Sequence, residues 1–234
     1  MTADPPAHAF ADPAAAAAAP LFPDVTRDDV FRLETRRLWL RWMKLSDAPA
    51  LHGYASLPEV AGMTGTWPHP LPAGECERRI FEARKVNATG LSLVLGITPR
   101  DRPNRLIGTI GLSRHGGGAP DLGFMLHPEA WGQGLMTEAA RALVDAAFAY
   151  SAVSEITAWA RVVNPASRRV LEKCGFRHLG QSLLHLPARG GAHPCDQFAL
   201  DRGAWAAMRP WPASGPATMG APVAAGPSVA VACA

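Results

Sequence analysis

A chain of 234 residues with 48% hydrophobic content can bury one sizeable core, and its terminal stretches are not needed for it. A net charge of +3 provides no basic stripe with interleaved aromatics for nucleic acid, though it tolerates a phosphate-bearing ligand. Cysteines without CxxC spacing, an alanine tract at 14–19 with no basic residue before it, and no run of about 18 apolar residues weigh against a disulfide scaffold, a signal peptide and a membrane span. A cytoplasmic protein with reduced thiols is the expectation.

Residues 1–32 are rich in Ala, Pro and Asp, and residues 210–234 in Pro, Ala and Gly. Neither can bury enough to offset the entropy of ordering, so both are expected as disordered tails around a domain spanning 33–209. Inside it, "RLWLR" (Arg37–Arg41) alternates as a strand does. Ser46 and Asp47 suit the cap of a short helix, with Pro49 in its first turn. "GECERRIFEARKV" places Cys76, Ile80 and Ala83 on one helical face. "LSLVLGIT" and "RLIGTIGLS" read as strands joined by the "PRDRPN" turn, and "DLGFMLH" as a third. A helix from Thr137 follows, with Ala140, Leu143, Val144, Ala147 and Phe148 at helical spacing. "EITAWARVV" is a strand, "NPASRRVLEKCG" a short helix, "FRHLGQSLLHL" and "DQFALD" a closing strand pair, and "RGAWAAM" a last turn. This order predicts an α/β (α+β) architecture: a mixed, mostly antiparallel central sheet flanked by helices. The strand before Gly132 and the strand at Ile156, joined through a helix, are its parallel neighbours.

The stretch "WGQG" ahead of the long helix carries the first chemistry. First-turn amides of a helix lack intrahelical partners, and the helix dipole favours an anion there. Gly132 and Gly134 keep side chains out of the way and permit positive φ. That suits a phosphate or pyrophosphate, although a plain strand-to-helix turn reads the same way on two glycines alone. A Walker loop is excluded because no Gly-Lys-Ser/Thr follows, and a dinucleotide fingerprint because Thr137 stands at its third glycine.

The surroundings are more specific. "LGFMLHPEAWGQGLMTEAARALVDAAF" resembles motif A of the GNAT superfamily of acetyl-CoA-dependent N-acetyltransferases, in particular the RimJ/RimL-like branch of ribosomal-protein alanine acetyltransferases. "ETRRLWLR", "LIGTIGLS", "NPASRRVLEKCGFRHLG" and "DQFALDRGAW" resemble further segments of that branch, in the right order, over residues 33–205. The resemblance implies a GNAT-like acyl-CoA N-acyltransferase fold with acetyl-CoA as co-substrate and no metal. Phe124, Met125 and Leu126 would lie along the pantetheine arm. Gly132, Gln133, Gly134, Leu135, Met136 and Thr137 would receive the pyrophosphate. Asn164, also a natural helix cap before Pro165, would touch the cofactor arm. Ser167 would stand near the thioester sulfur as general acid, and Asp121 near the thioester as a base, each with a plain surface or turn reading beside it. Arg168 and Arg169 read as a solvated face or as 3′-phosphate contacts. Glu129 departs from the superfamily's Gln/Arg at that position but is frequent in the branch.

The implied reaction is direct attack of a primary amine on the thioester in a ternary complex, the amine being a protein N-terminus or a small molecule. A non-catalytic acyl-CoA-binding module of the same fold is the alternative. No nucleic acid or membrane is expected as partner, and a homodimer is compatible with the reading. Residues 54–74, with Trp67 and His69, would wall the acceptor side or merely pack. His127 reads as a relay or a loop histidine, and Cys174 as packing. "HGGG" at His115–Gly118 has no Gly-x-Ser-x-Gly partner, and His178, His185 and His193 lack the spacing of a zinc site.

Overall fold

Alternating apolar residues lay down an eight-stranded sheet of order β1-β2-β3-β4-β5-β6-β8-β7 in a computed structural model, which describes residues 19–114 and 118–208. The strands are β1 (Arg32–Glu34), β2 (Leu38–Arg41), β3 (Ser92–Pro99), β4 (Gly108–Ser113), β5 (Asp121–Leu126), β6 (Glu155–Arg161), β7 (Arg177–Leu186) and β8 (Gly191–Asp201). Every neighbouring pair is antiparallel except β5 and β6, which are parallel as their connecting helix requires. β8 lies between β6 and β7, a strand order that the spacing of the closing pair leaves open.

The helices are α1 (Ala48–Ala55), α2 (Pro58–Ala61), α3 (Glu75–Thr89), α4 (Leu135–Tyr150), α5 (Pro165–Lys173) and α6 (Arg202–Ala207). Successive strand side chains point to opposite faces, and the two faces have separate covers. Leu93, Leu95, Ile97 and Leu126 join the core with Leu143, Val144 and Phe148 of α4. Met125 and Val94 pack instead with Leu51 and Tyr54 of α1 and Ile80 of α3. α3 buries Cys76, Ile80 and Ala83, the face its spacing defines. α4 starts at Leu135, two residues before the expected Thr137, because Gly134 already ends the turn at φ 73°.

The expected N-terminal tail of residues 1–32 is too long. Leu21, Phe22 and Phe31 are buried in the α4-side core. The amides of Leu21 and Phe22 both donate to the Gly90 carbonyl, at 2.8 and 2.9 Å. Two bulky apolar residues after an Ala/Pro stretch are too small a signal to separate from it by composition. Residues 1–18 and 209–234, with the rest of both expected tails, and residues 115–117 of the "HGGG" stretch lie outside the described residues.

Candidate active site

Parallel neighbours β5 and β6 meet at a single residue pair, Asp121 with Thr157, and then separate. Past Asp121, the edge of β5 facing β6 has no strand partner, so the main-chain groups of the Phe124–Leu126 stretch that do not bond β4 face the gap. Gly123 sits in this stretch with nothing within 4 Å of where its Cβ would be. The strand therefore offers one open edge to an extended ligand arm, its other edge being paired with β4.

β5 runs into the glycine turn. His127 caps a short 3-10 turn at Pro128–Ala130, its Nδ1 accepting from the Glu129 amide at 3.1 Å. That contact makes it a turn histidine. The Trp131 indole donates to the Leu126 carbonyl at 2.8 Å and fixes the strand end against the turn. Gly132 and Gly134 hold φ of 72° and 73°, the left-handed region that disfavours side chains. The first helical hydrogen bond of α4 runs from Glu138 to the Gly134 carbonyl at 3.1 Å, so the amides of Leu135, Met136 and Thr137 are left open. These amides and the helix dipole make an anion seat.

Arg37, at the start of β2, braces this seat, and sequence reasoning did not single it out. Its Nε donates to Glu138 at 2.6 Å and its Nη1 to the Gln133 carbonyl at 2.9 Å. Glu138 also accepts from the Thr35 hydroxyl at 2.6 Å and from the Arg37 amide at 2.8 Å. Burial alone pushes the Glu138 carboxyl up, but the bonds from Thr35 and Arg37 outweigh it and hold the group below its ordinary value. On the other flank, Gln133 donates to the Glu129 carbonyl at 2.8 Å, and Arg105 pairs with the Glu129 carboxylate at 2.9 Å. The only sequence signal was that both ends of the brace, "ETRR" and "TEA", fall inside the resembling segments.

Asn164 opens α5, with its Oδ1 accepting from the Ser167 amide at 3.1 Å. Its capping role is therefore realised. Asn164→Ala should cost about 1 kcal/mol and lower the melting temperature by roughly 2–4 °C, measurable by scanning calorimetry. The Ser167 side chain lines the same cavity as Asp121 and the glycine turn. Arg168 is engaged elsewhere, with Glu172 at 2.8 Å and Asp196 at 3.5 Å, whereas Arg169 is exposed at the cavity wall.

Asp121 keeps only part of its surface open and has one side-chain bond, from the Thr157 hydroxyl at 3.3 Å. Burial pushes its carboxyl up to about 7, against a small opposing effect from Thr157. A carboxylate of that basicity exchanges protons near neutral pH. The three thiols among the described residues have no such tuning. Burial raises Cys174 to about 12 and Cys76 to about 11, and raises Cys195 as well. Cys174 packs in the core as its position suggested.

One continuous cavity of about 1490 Å³ joins these features. Its wall includes the glycine turn and α5 on one side of the sheet gap and Glu59, Arg79 and Trp67 on the other. A pocket for one small ligand is typically about 300–1,000 Å³, so this one has room for two molecules meeting at the gap. Trp67 lines it under the Arg79 guanidinium at 4.2 Å, while His69 is exposed and outside it. No group of three or more His, Cys, Asp or Glu side chains able to hold a metal occurs among the described residues. None of the helices there is long and apolar enough to cross a membrane.

A splayed parallel pair with a glycine-turn anion seat defines an acyl-CoA acyltransferase architecture, and residues 37–177 match the family described as Acetyltransferase (GNAT) domain. The chain belongs to that family of acetyl-CoA-dependent N-acetyltransferases. It is 27% identical over 170 residues to the uncharacterized N-acetyltransferase p20 of Bacillus licheniformis, covering 72% of this chain and 94% of that protein. A shorter stretch of 59 residues, 25% of each chain, is 37% identical to FsC-acetyl coenzyme A-N(2)-transacetylase of Aspergillus fumigatus, so this chain spans a quarter of that relative. The fold is similar to that of Mycobacterium smegmatis RimJ in complex with CoA-disulfide, with a TM-score of 0.63 at 20% identity over 77% of this chain and 90% of that one.

Proposed function

We propose that the chain transfers the acetyl group of acetyl-CoA directly to a primary amine, a protein N-terminus or a small molecule, within a ternary complex. The observation that carries this is the single cavity crossing the β5–β6 gap, large enough for donor and acceptor together. The raised thiols of Cys76, Cys174 and Cys195 support direct attack, since among the described residues none is poised to form an acyl-enzyme.

In this reading the pantetheine arm lies along Phe124, Met125 and Leu126 and takes the main-chain groups on the β6-facing edge that neither β4 nor Trp131 occupies. The pyrophosphate rests on Gly132, Gln133, Gly134, Leu135, Met136 and Thr137, with Asn164 beside the arm and Arg169 toward the 3′-phosphate. The acetyl end then points at Asp121, where the strands converge. Asp121 accepts the proton of the attacking amine, and main-chain amides of β5 stabilise the oxyanion. The hydroxyl of Ser167 passes a proton to the departing thiolate while taking one from solvent, a modest help for a thiol of pKa about 8.5. The buried free cysteines fit a reducing, cytoplasmic setting.

Arg37 acts as a positioning residue for the glycine turn. Arg37→Ala should weaken acetyl-CoA about tenfold in calorimetry, with kcat at saturating donor little changed. A fall in kcat with unaltered affinity would place the residue elsewhere in the reaction. The acceptor class is tested by screening amines and N-terminal peptides for coenzyme A release. Tight acetyl-CoA binding with no release for any amine would favour a binding module.

A further inference from the structure

The acceptor half of the cavity is roofed by the segment after α2. Arg161, at the end of β6, donates from Nη1 to the Gly62 carbonyl, and Arg189, in the turn after β7, donates from Nη2 to the Trp67 carbonyl. The Ala188 amide adds a bond to the Gly65 carbonyl at 3.1 Å. This clasp ties the roof to the end of β6 and to the β7–β8 turn.

The clasp is charged but unbalanced. Arg79, the other arginine holding this roof, is paired with Glu75 at 2.6 Å. Arg161 and Arg189 have no carboxylate partner among the described residues, and the Nε of each is buried without a hydrogen-bond partner. Arg114, just past β4 on the same cavity wall, is in the same condition. The carboxylates of Glu59 and Glu82 also line the cavity, on α2 and α3, but neither pairs with Arg161. Burial first, and the charge of Arg161 second, pull the Arg189 guanidinium below its ordinary value, so the two cations are close enough to repel. Partly buried guanidiniums without a counter-ion carry a desolvation cost, and a bound anion relieves it.

We propose that the acceptor is a primary amine that also carries an anionic group, carboxylate or phosphate, which Arg161 binds at the cavity wall while Arg189 and Arg114 add positive potential. The inference rests on the reading that the acceptor is an amine delivered to Asp121. Arg161 lies four residues along β6 from Thr157, the partner of Asp121, about 13 Å at strand rise. The anionic group therefore stands several bonds from the amine. Guanidinium suits either oxyanion through its planar fork.

The test is coenzyme A release with three matched acceptor pairs: an ω-amino carboxylate and its amide, an aminoalkyl phosphate and its alcohol, and short peptides with Asp or Asn at the third position. Wild type should prefer the anionic member of at least one pair by about tenfold or more in kcat/KM, and the pair that responds names the source of the anion. Arg161→Gln should erase that preference, Arg161→Lys should keep part of it, and acetyl-CoA affinity should stay unchanged in both. The readout is a ratio within one protein sample, so partial misfolding does not mimic it. Equal or better use of the neutral members by wild type overturns the proposal while leaving the amine acetyltransferase intact. An undiminished acid preference in Arg161→Gln also overturns it. Release with no amine of any kind overturns the underlying reading instead.

Discussion

Gly134→Glu should weaken acetyl-CoA binding at least about a hundredfold and leave the fold standing. The backbone there has φ 73°, so any side chain costs about 1–2 kcal/mol of left-handed strain. The space itself is open: an added Cβ would meet only the Arg37 Nη2, at an ordinary 3.7 Å. Arg37 is committed to Glu138 and to the Gln133 carbonyl and does not neutralise a new carboxylate fully. Unit charges about 4 Å apart repel by roughly 4 kcal/mol near a protein surface. After solvent screening, a loss of at least about a hundredfold in affinity remains, or ~2.7 kcal/mol. Calorimetry with acetyl-CoA reads the affinity, and thermal unfolding should show a drop of only a few degrees, about 2–8 °C. Gly134→Ala has the strain without the charge and should keep affinity within about tenfold. Unchanged affinity in the glutamate variant would falsify the placement of the pyrophosphate on this turn.

Asp121→Asn has the second large effect, and it moves activity and stability in opposite directions. The carboxyl is held up to about 7, chiefly by burial, well above the unfolded value of about 3.9. Between those two values the folded state binds more protons than the unfolded one. The neutral acid therefore supports the fold fully below the unfolded value, and that support is lost as pH rises through about 7. At pH 8 the wild type must hold an ionised group in a poorly solvated place, and asparagine removes that burden. The variant should melt higher than wild type at pH 8 and show no such gain at acidic pH. With Asp121 as the base of the proposed reaction, catalysis needs the opposite form. Wild-type kcat/KM should rise through about pH 7 as Asp121 ionises. In the variant that limb should vanish, with kcat reduced about a hundredfold. Equal melting temperatures at pH 8 and an unaltered pH profile would remove Asp121 from the chemistry.

Much of the fold was legible because its signals are local. The spacing of Leu143, Val144 and Phe148 fixed the buried face of α4, and Asn164 before Pro165 marked the start of α5. The positive φ at Gly132 and Gly134 followed from the choice of glycine before a helix. The parallel pairing of β5 with β6 followed from the helix between them. Non-local features were not legible. The insertion of β8 between β6 and β7 depends on how a hairpin docks onto an existing edge. The Arg37–Glu138 brace joins residues about a hundred positions apart, and surface arginines are too common for either to announce its partner. The early start of the packed chain rests on Leu21 and Phe22 meeting the end of α3 at Gly90, which no window of sequence contains. Asp121 shows the same division. Its place at the head of a strand was legible, but its basicity comes from the enclosure made where two strands part.

Direct transfer is tested most simply by following the acetyl group by intact-mass spectrometry with labelled acetyl-CoA, first without and then with an accepted amine. The enzyme should remain unmodified throughout, coenzyme A should appear only after the amine is added, and the label should be found on the amine. A labelled protein formed in the absence of amine, and discharged when the amine arrives, would contradict attack within a ternary complex.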